Sequence, residues 1–344
     1  MNKLLALLGV FAVLGTAATA GWATPPGKNG DIIFRRYLDA ERTTGAIFTI
    51  RPDGKRVRQV THPPRGVIDQ YPDWSPDGRT IVFHRMMPCV PGGGRDGMDR
   101  TCDLIYTVRP DGKGLKRLVP CAFDAQLPVP RSCVGAHTPA WSPDGSKVAF
   151  SYSIVNFDYT ESLKLNRAIW VVNADGTGRR QLTALSPGSV WDNEPQWSPD
   201  GRKLVFTRVD LNLKRDAVYT VDVASSDLVQ VTPWALNGAG DPEWSPDGKW
   251  IVFVGHPSNG SENVYKIRPD GSSLTNLTRQ SAGGFKYLSS SFSPDGTMIV
   301  SARTPGAGSR GAADLVVMRA DGSGLRPITK TALWESSVDW GPAR

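Results

Sequence analysis

The chain has 344 residues with 40 Lys and Arg against 33 Asp and Glu, a formal charge of +7, 40% hydrophobic residues, 36 Gly and 27 Pro. This excludes a disordered chain, which would lack the apolar content for a core, and the many turn formers point to short strands rather than long helices. The basic residues form no cluster interleaved with aromatics, so they read as a solvated surface and nucleic acid is not an expected partner.

In chain order, Lys3 is followed by the apolar run Leu4 to Leu14 and by small residues ending in Ala18-Thr19-Ala20. This is the pattern of a secretory signal peptide over residues 1 to 23, so the protein is expected to be periplasmic or secreted. The apolar run is short for a membrane span, and none is expected in the mature chain. Next come "GDIIFRR" (30 to 36), "AIFTIRPDG" (46 to 54) and "VRQVTH" (57 to 62), three strands ending in a tight turn.

The pentapeptide "WSPDG" then stands at 74 to 78, 141 to 145, 197 to 201 and 244 to 248, with "FSPDG" at 292 to 296 and a degenerate copy ending at Trp340. Trp197, Trp244, Phe292 and Trp340 follow one another at 47 or 48 residues, and the earlier spacings of 67 and 56 hold insertions. Each copy is a hairpin turn, Pro setting φ and Gly accepting the positive φ that closes the loop, and not a calcium loop. A half-buried strand such as "TIVFHR" (80 to 85) follows it, then a second strand such as "IYTV" (105 to 108), a second PDG-like turn, and a short strand closing on "QLT", "QVT", "NLT" or "PIT".

Four strands per unit at this period predict an all-β, six-bladed β-propeller of four-stranded antiparallel blades. The N-terminal strands lack a first strand, and "SSVDW" (336 to 340) is a first strand without the rest, so pairing the two ends is expected to close the ring. The expected organisation is one domain over residues 24 to 344, as a monomer. Its blades are 28–62 plus 335–342, 69–119, 136–184, 192–232, 239–278 and 287–329.

All four cysteines, Cys89, Cys102, Cys121 and Cys133, fall within one stretch of 45 residues. An even count in an exported chain predicts disulfides; three pairings are possible, and Cys89 with Cys102 and Cys121 with Cys133 is preferred because each closes a local insertion. No C-x-x-C pair exists, so no metal or other cofactor is expected.

Chain order also sorts the faces. The PDG turns lie on one, and the irregular loops 85–102, 119–137, 153–166 and 184–194 lie on the other, where binding and catalysis concentrate. Residues just before each repeat Trp are therefore expected to rim the channel: Asp69, Tyr71, His137, Asp192, Glu194, Asp241, Tyr287 and Glu335, with the crossover tryptophans Trp191 and Trp334. The competing reading is that these acids accept backbone hydrogen bonds and the tryptophans plug gaps between blades.

The pattern P-x-W-S-P-D-G followed by I-(Y/W)-x-V-(R/N)-x-D-G and L-T resembles the repeat of TolB-type β-propellers over roughly residues 28 to 344. The resemblance implies an envelope protein that binds other proteins, without the extra α/β domain that precedes the propeller in the family's namesake. No G-x-S-x-G elbow is present and the four histidines are scattered along the chain, so a non-enzymatic scaffold for a protein, peptide or envelope polymer is expected. The alternative is a carbohydrate-active hydrolase or lyase using acids at the channel mouth, with Asp192, Glu194, Asp241 and Glu335 as candidates.

Overall fold

The computed structural model describes residues 27–90, 100–119, 135–157, 163–184, 190–236, 240–255, 262–278, 284–305 and 312–344. The expected signal peptide, Cys121 and Cys133 lie outside them, as do parts of all four irregular loops. Among the described residues the chain is all-β apart from one 3-10 turn at Trp234–Leu236, and no helix is long and apolar enough to cross a membrane.

The strands fall into four-stranded antiparallel groups. The first contains β1 (Asn29–Tyr37), β2 (Gly45–Ile50) and β3 (Arg58–Gln59). It is followed by β4 (Ile68–Trp74), β5 (Ile81–Val90), β6 (Arg100–Val108) and β7 (Lys116–Val119). Next are β8 (Ala136–Trp141), β9 (Lys147–Phe157), β10 (Leu163–Asn173) and β11 (Arg180–Gln181). The following group is β12 (Val190–Trp197), β13 (Lys203–Asp210), β14 (Arg215–Asp222) and β15 (Leu228–Gln230). Then come β16 (Gly240–Trp244), β17 (Ile251–Gly255), β18 (Asn263–Ile267) and β19 (Thr275–Asn276). After them stand β20 (Phe285–Phe292), β21 (Met298–Pro305), β22 (Asp314–Arg319) and β23 (Arg326–Pro327). The last strand, β24 (Glu335–Pro342), pairs antiparallel with β1 and completes the first group.

The first strands meet in order: β4 lies against β8, β8 against β12, β12 against β16, β16 against β20, β20 against β24, and β24 against β4. The strand after each repeat turn, expected to be half-buried, is buried on both faces; Ile81, Val82 and Phe83 are all fully buried. The reason is that each group is covered on both sides. Ile81 and Phe83 pack with Ile33 and Ile47 of the preceding group, while Val82 packs with Trp141 and Phe150 of the next. Complete burial of one such Phe contributes about 1.5–3 kcal/mol, so the stack of groups is itself the core.

The pentapeptide is a self-contained hydrogen-bond knot. In the first copy Ser75 Oγ donates to Asp77 Oδ1 at 2.7 Å and accepts the Thr80 N–H at 2.9 Å, while Asp77 Oδ1 also accepts the Arg79 N–H at 2.9 Å. Gly78 closes it at φ 66°, a left-handed conformation that a side chain would strain. The Thr of "VTH", "QLT", "QVT", "NLT" and "PIT" has one job in the five groups that carry it; in the group of β4 to β7 the last strand is followed by Pro120-Cys121 instead. The hydroxyls of Thr61, Thr183, Thr232, Thr278 and Thr329 each accept the N–H of the residue fourteen positions earlier, on the third strand.

Candidate functional site

Position along the first strand decides what each expected rim residue touches. Five residues before the repeat aromatic stand Asp69, Ala136, Asp192, Tyr287 and Glu335, and all of them are buried. Arg85 donates to both Asp69 oxygens at 2.6 and 2.8 Å, and Arg208 does the same to Asp192 at 2.8 and 2.9 Å. Arg36 donates to Glu335 Oε1 at 2.8 and 2.5 Å, and Thr329 donates to the other oxygen. Each arginine also lies over an aromatic ring of its group, Arg85 over Tyr106, Arg208 over Tyr219 and Arg36 over Phe48, at 4.8 to 4.9 Å. Tyr287 is fully buried in the apolar cluster with Phe292 and Val252. Asp69, Asp192, Tyr287 and Glu335 therefore face the packed interior, not the channel.

Two positions further on the geometry changes. Tyr71, Thr138, Glu194, Asp241 and Ser337 all have left-handed backbones, with φ between 46° and 55°, and each sits inside a register shift of its strand. The bulge breaks the in-out alternation and turns these side chains inward. Together with Gln196, Glu243 and Ser290 they line one cavity of about 50 Å³ bordered by all six first strands. Glu194 Oε2 accepts the Asp241 N–H at 2.9 Å and the Thr207 hydroxyl at 2.9 Å, while the Glu194 N–H reaches Thr138 Oγ1 at 3.2 Å.

Burial raises the pKa of Glu194 above the usual carboxylate range and, with Glu194 as a neighbour, that of Asp241 well above it. The Tyr71 phenol is also pushed up, by burial first and then by the Asp241 and Glu194 charges. Arg35 borders this level, donating to Gln70 Oε1 and to Ser336 Oγ. Arg167 does so across the cavity, donating to Ser153 Oγ at 2.9 Å and Asn193 Oδ1 at 2.7 Å.

A third row, missed from the sequence, stands immediately before the aromatic. Asp73 accepts the Trp141 N–H at 2.7 Å, Glu243 the Phe292 N–H at 3.2 Å, and Asp339 the Trp74 N–H at 2.8 Å. Each carboxyl thus latches one group to the next. All three are raised by burial, Asp339 to about 6. The readable signal is an acid directly preceding the repeat Trp in "DWSPDG", "EWSPDG" and "VDWGP".

The tryptophans lie between groups. Trp191 meets Arg167 across a parallel bridge and carries that guanidinium 4.8 Å from its ring, while Trp334 bridges to Ala313 and stacks with Arg42 at 3.7 Å. The histidines, scattered in sequence, are not all scattered in space. His84 and His137 approach with ring centroids 5.0 Å apart, and Asp103 stands between them. Burial, followed by the His84 charge, lowers His137 to about 3. Burial opposes ionisation of Asp103, yet its hydrogen bond with His84 and the nearby positive charges hold it below the usual range. Cys102 is disulfide-bonded; the side chains of Cys89, Cys121 and Cys133 lie outside the description.

Comparison with known proteins agrees with this geometry. The PD40 family, described as the TolB beta propeller domain, matches residues 130–344, more than half of the chain, and the chain belongs to that family. A TolB from Acinetobacter baumannii superposes with a TM-score of 0.67 at 19% identity, covering 93% of this chain and 68% of that one. A putative TolB from Agrobacterium tumefaciens gives 0.59 at 19% identity, covering 92% and 99%. At these identities the likeness is one of fold, a TolB-like β-propeller. In sequence, an uncharacterized protein, Atu1656, of Agrobacterium fabrum is 32% identical over 138 residues. That match covers 40% of this chain and 39% of the relative's length.

Proposed function

We propose that this protein is an exported, non-enzymatic binding module, a six-bladed propeller closed between β1 and β24, that docks a protein, peptide or envelope polymer at the irregular face. The closed ring is supported by the contact of β24 with both β20 and β4 and by the Asp339 latch on Trp74. Export rests on the signal-peptide pattern and on the likeness to TolB structures. Cys89, on the strand paired with that of Cys102, is the proposed partner of the disulfide-bonded Cys102.

The size of the cavity carries the reading. At about 50 Å³ it holds a water or two or the tip of one side chain, far below the roughly 300–1,000 Å³ of a site that encloses a small molecule. A sugar ring does not fit among Tyr71, Glu194 and Asp241, whereas a polar side chain of a docked partner does. Two buried acids without a cationic partner inside the cavity favour a donor tip, because a hydrogen bond to either carboxylate offsets part of its desolvation.

Pull-down from envelope extracts tests this with the wild type, the double variant Glu194→Gln/Asp241→Asn and the turn-face variant Asp200→Ala. The docking reading expects partners to be lost only with the double variant. Equal capture by all three would remove the cavity from the function, and cleavage of an envelope saccharide by the wild type would favour the carbohydrate-active alternative.

A further inference from the structure

We propose that His84, Asp103 and His137 bind one divalent transition-metal ion of the zinc type, at a site spanning two neighbouring groups beside the cavity. His84 comes from β5 and Asp103 from β6 of one group, and His137 from β8 of the next. Each offers one ligand atom, and these atoms lie within 4.8 Å of one another. His84 Nε2 is 2.8 Å from Asp103 Oδ1, and His137 Nε2 is 3.9 Å from Asp103 Oδ2.

The second distance is too long for a hydrogen bond. The two distances bracket the edge of a tetrahedron built on metal–ligand bonds of about 2.0–2.1 Å, which is roughly 3.3 Å. The three ligand atoms all lie within 4.8 Å of one another, so rotation of the two rings and the carboxylate towards a common centre would bring them onto one ion. Two imidazoles and a carboxylate are a donor set for zinc-like ions, and three protein ligands leave an open position.

The surroundings fit the same purpose. Gln70 lies 3.3 Å from His84 Nδ1 and is itself held by Arg35, which fixes the ring from behind. Ser153 Oγ is 3.2 Å from His137 Nε2, at the edge where a fourth, oxygen ligand would stand, and Arg167 donates to it. With Arg167 that close, an anionic oxygen is the favoured fourth ligand. His84 is 3% exposed, while His137 and Asp103 are each 15% exposed, so the cluster is shielded yet open to entry from one side.

This site is independent of the docking reading and is tested on the untagged chain, stripped with a chelator and titrated with Zn(II) or Co(II) alone. The expected result is uptake of one ion per chain, visible Co(II) bands of low-symmetry coordination, and a zinc-dependent rise in melting temperature. Asp103→Asn and His137→Gln should lose all three, while His62→Gln, at an exposed histidine elsewhere, should keep them. Folding of each variant is checked by circular dichroism. If both ligand variants fail to fold, imidazole nitrogen NMR of the wild type decides: zinc must shift the signals of His84 and His137 and spare His62. No stoichiometric uptake by the folded wild type, retention by a folded ligand variant, or unshifted His84 and His137 signals would overturn the site.

Discussion

Two rows of acids on the first strands, five and three residues before the repeat aromatic, have opposite surroundings. Asp69, Asp192 and Glu335 are buried, and each meets an arginine in a two-pronged pair that an aromatic ring covers. Glu194 and Asp241 face a cavity, with backbone and hydroxyl donors to Glu194 and, among the described residues, no arginine within ion-pair distance of either. The difference comes from the bulge at the second row itself, where the left-handed backbone of each residue turns its side chain into the cavity. Sequence distance from the repeat Trp thus separates structural acids from site acids, a distinction that residue type alone hides.

The largest effect expected from breaking this contrast is at the paired row. Arg85→Ala would strand the fully buried Asp69 carboxylate, and loss of one partner of such a pair costs about 3–5 kcal/mol, read as a lower urea midpoint with unchanged slope. A midpoint within error of the wild type would mean that the pair is solvated and that the row is not structural.

The latch row gives a pH-dependent effect of intermediate size. A carboxyl whose folded pKa is raised keeps its proton in the folded chain after the unfolded chain has lost it. Its contribution is therefore full at low pH and falls as pH rises from about 4 towards the folded value. For Asp339 that window ends at about 6, and one such group lowers stability by up to about 1.4 kcal/mol per pH unit inside it. Melting temperature should fall from pH 4 to pH 6 in the wild type, with a shallower slope in Asp339→Asn. A wild-type stability that climbs across this window would show these carboxyls to be ionised in the fold.

The smallest effect belongs to the cavity row. Asp241→Asn replaces a carboxyl whose ionisation burial and Glu194 already disfavour, and should change stability by less than about 1 kcal/mol. Asp69→Asn, the same chemical change in the paired row, should cost several times more because Arg85 would lose its charge partner. Equal losses from the two substitutions would erase the contrast.

Much of the architecture was legible because its signals are local. The spacing of WSPDG counts the groups, Pro and Gly dictate the turn, and the Thr after five of the six last strands reports its own hydrogen bond fourteen residues back. The candidate site was legible only in part. Tyr71, Glu194 and Asp241 are named among the expected rim residues and line the cavity, whereas Thr138 and Ser337, at the same position, stand out in no local pattern of the sequence. Asp69, Asp192, Glu335 and Tyr287 are expected at the rim because they stand just before the repeat aromatic, and that closeness in sequence does not say which side of the strand each faces. The His84–Asp103–His137 cluster left no trace in spacing, since its members come from three strands of two groups.

By itself the sequence determined the repeat, the turns, the strand order within each group and the complementary ends of the chain, since each depends on residues adjacent or one period apart. Tertiary structure alone decided which acids meet arginines, which open into the cavity, and that two distant histidines share one carboxylate. Those outcomes depend on the bulge in each first strand and on the stacking of one group against the next, and neither is written in any local run of residues.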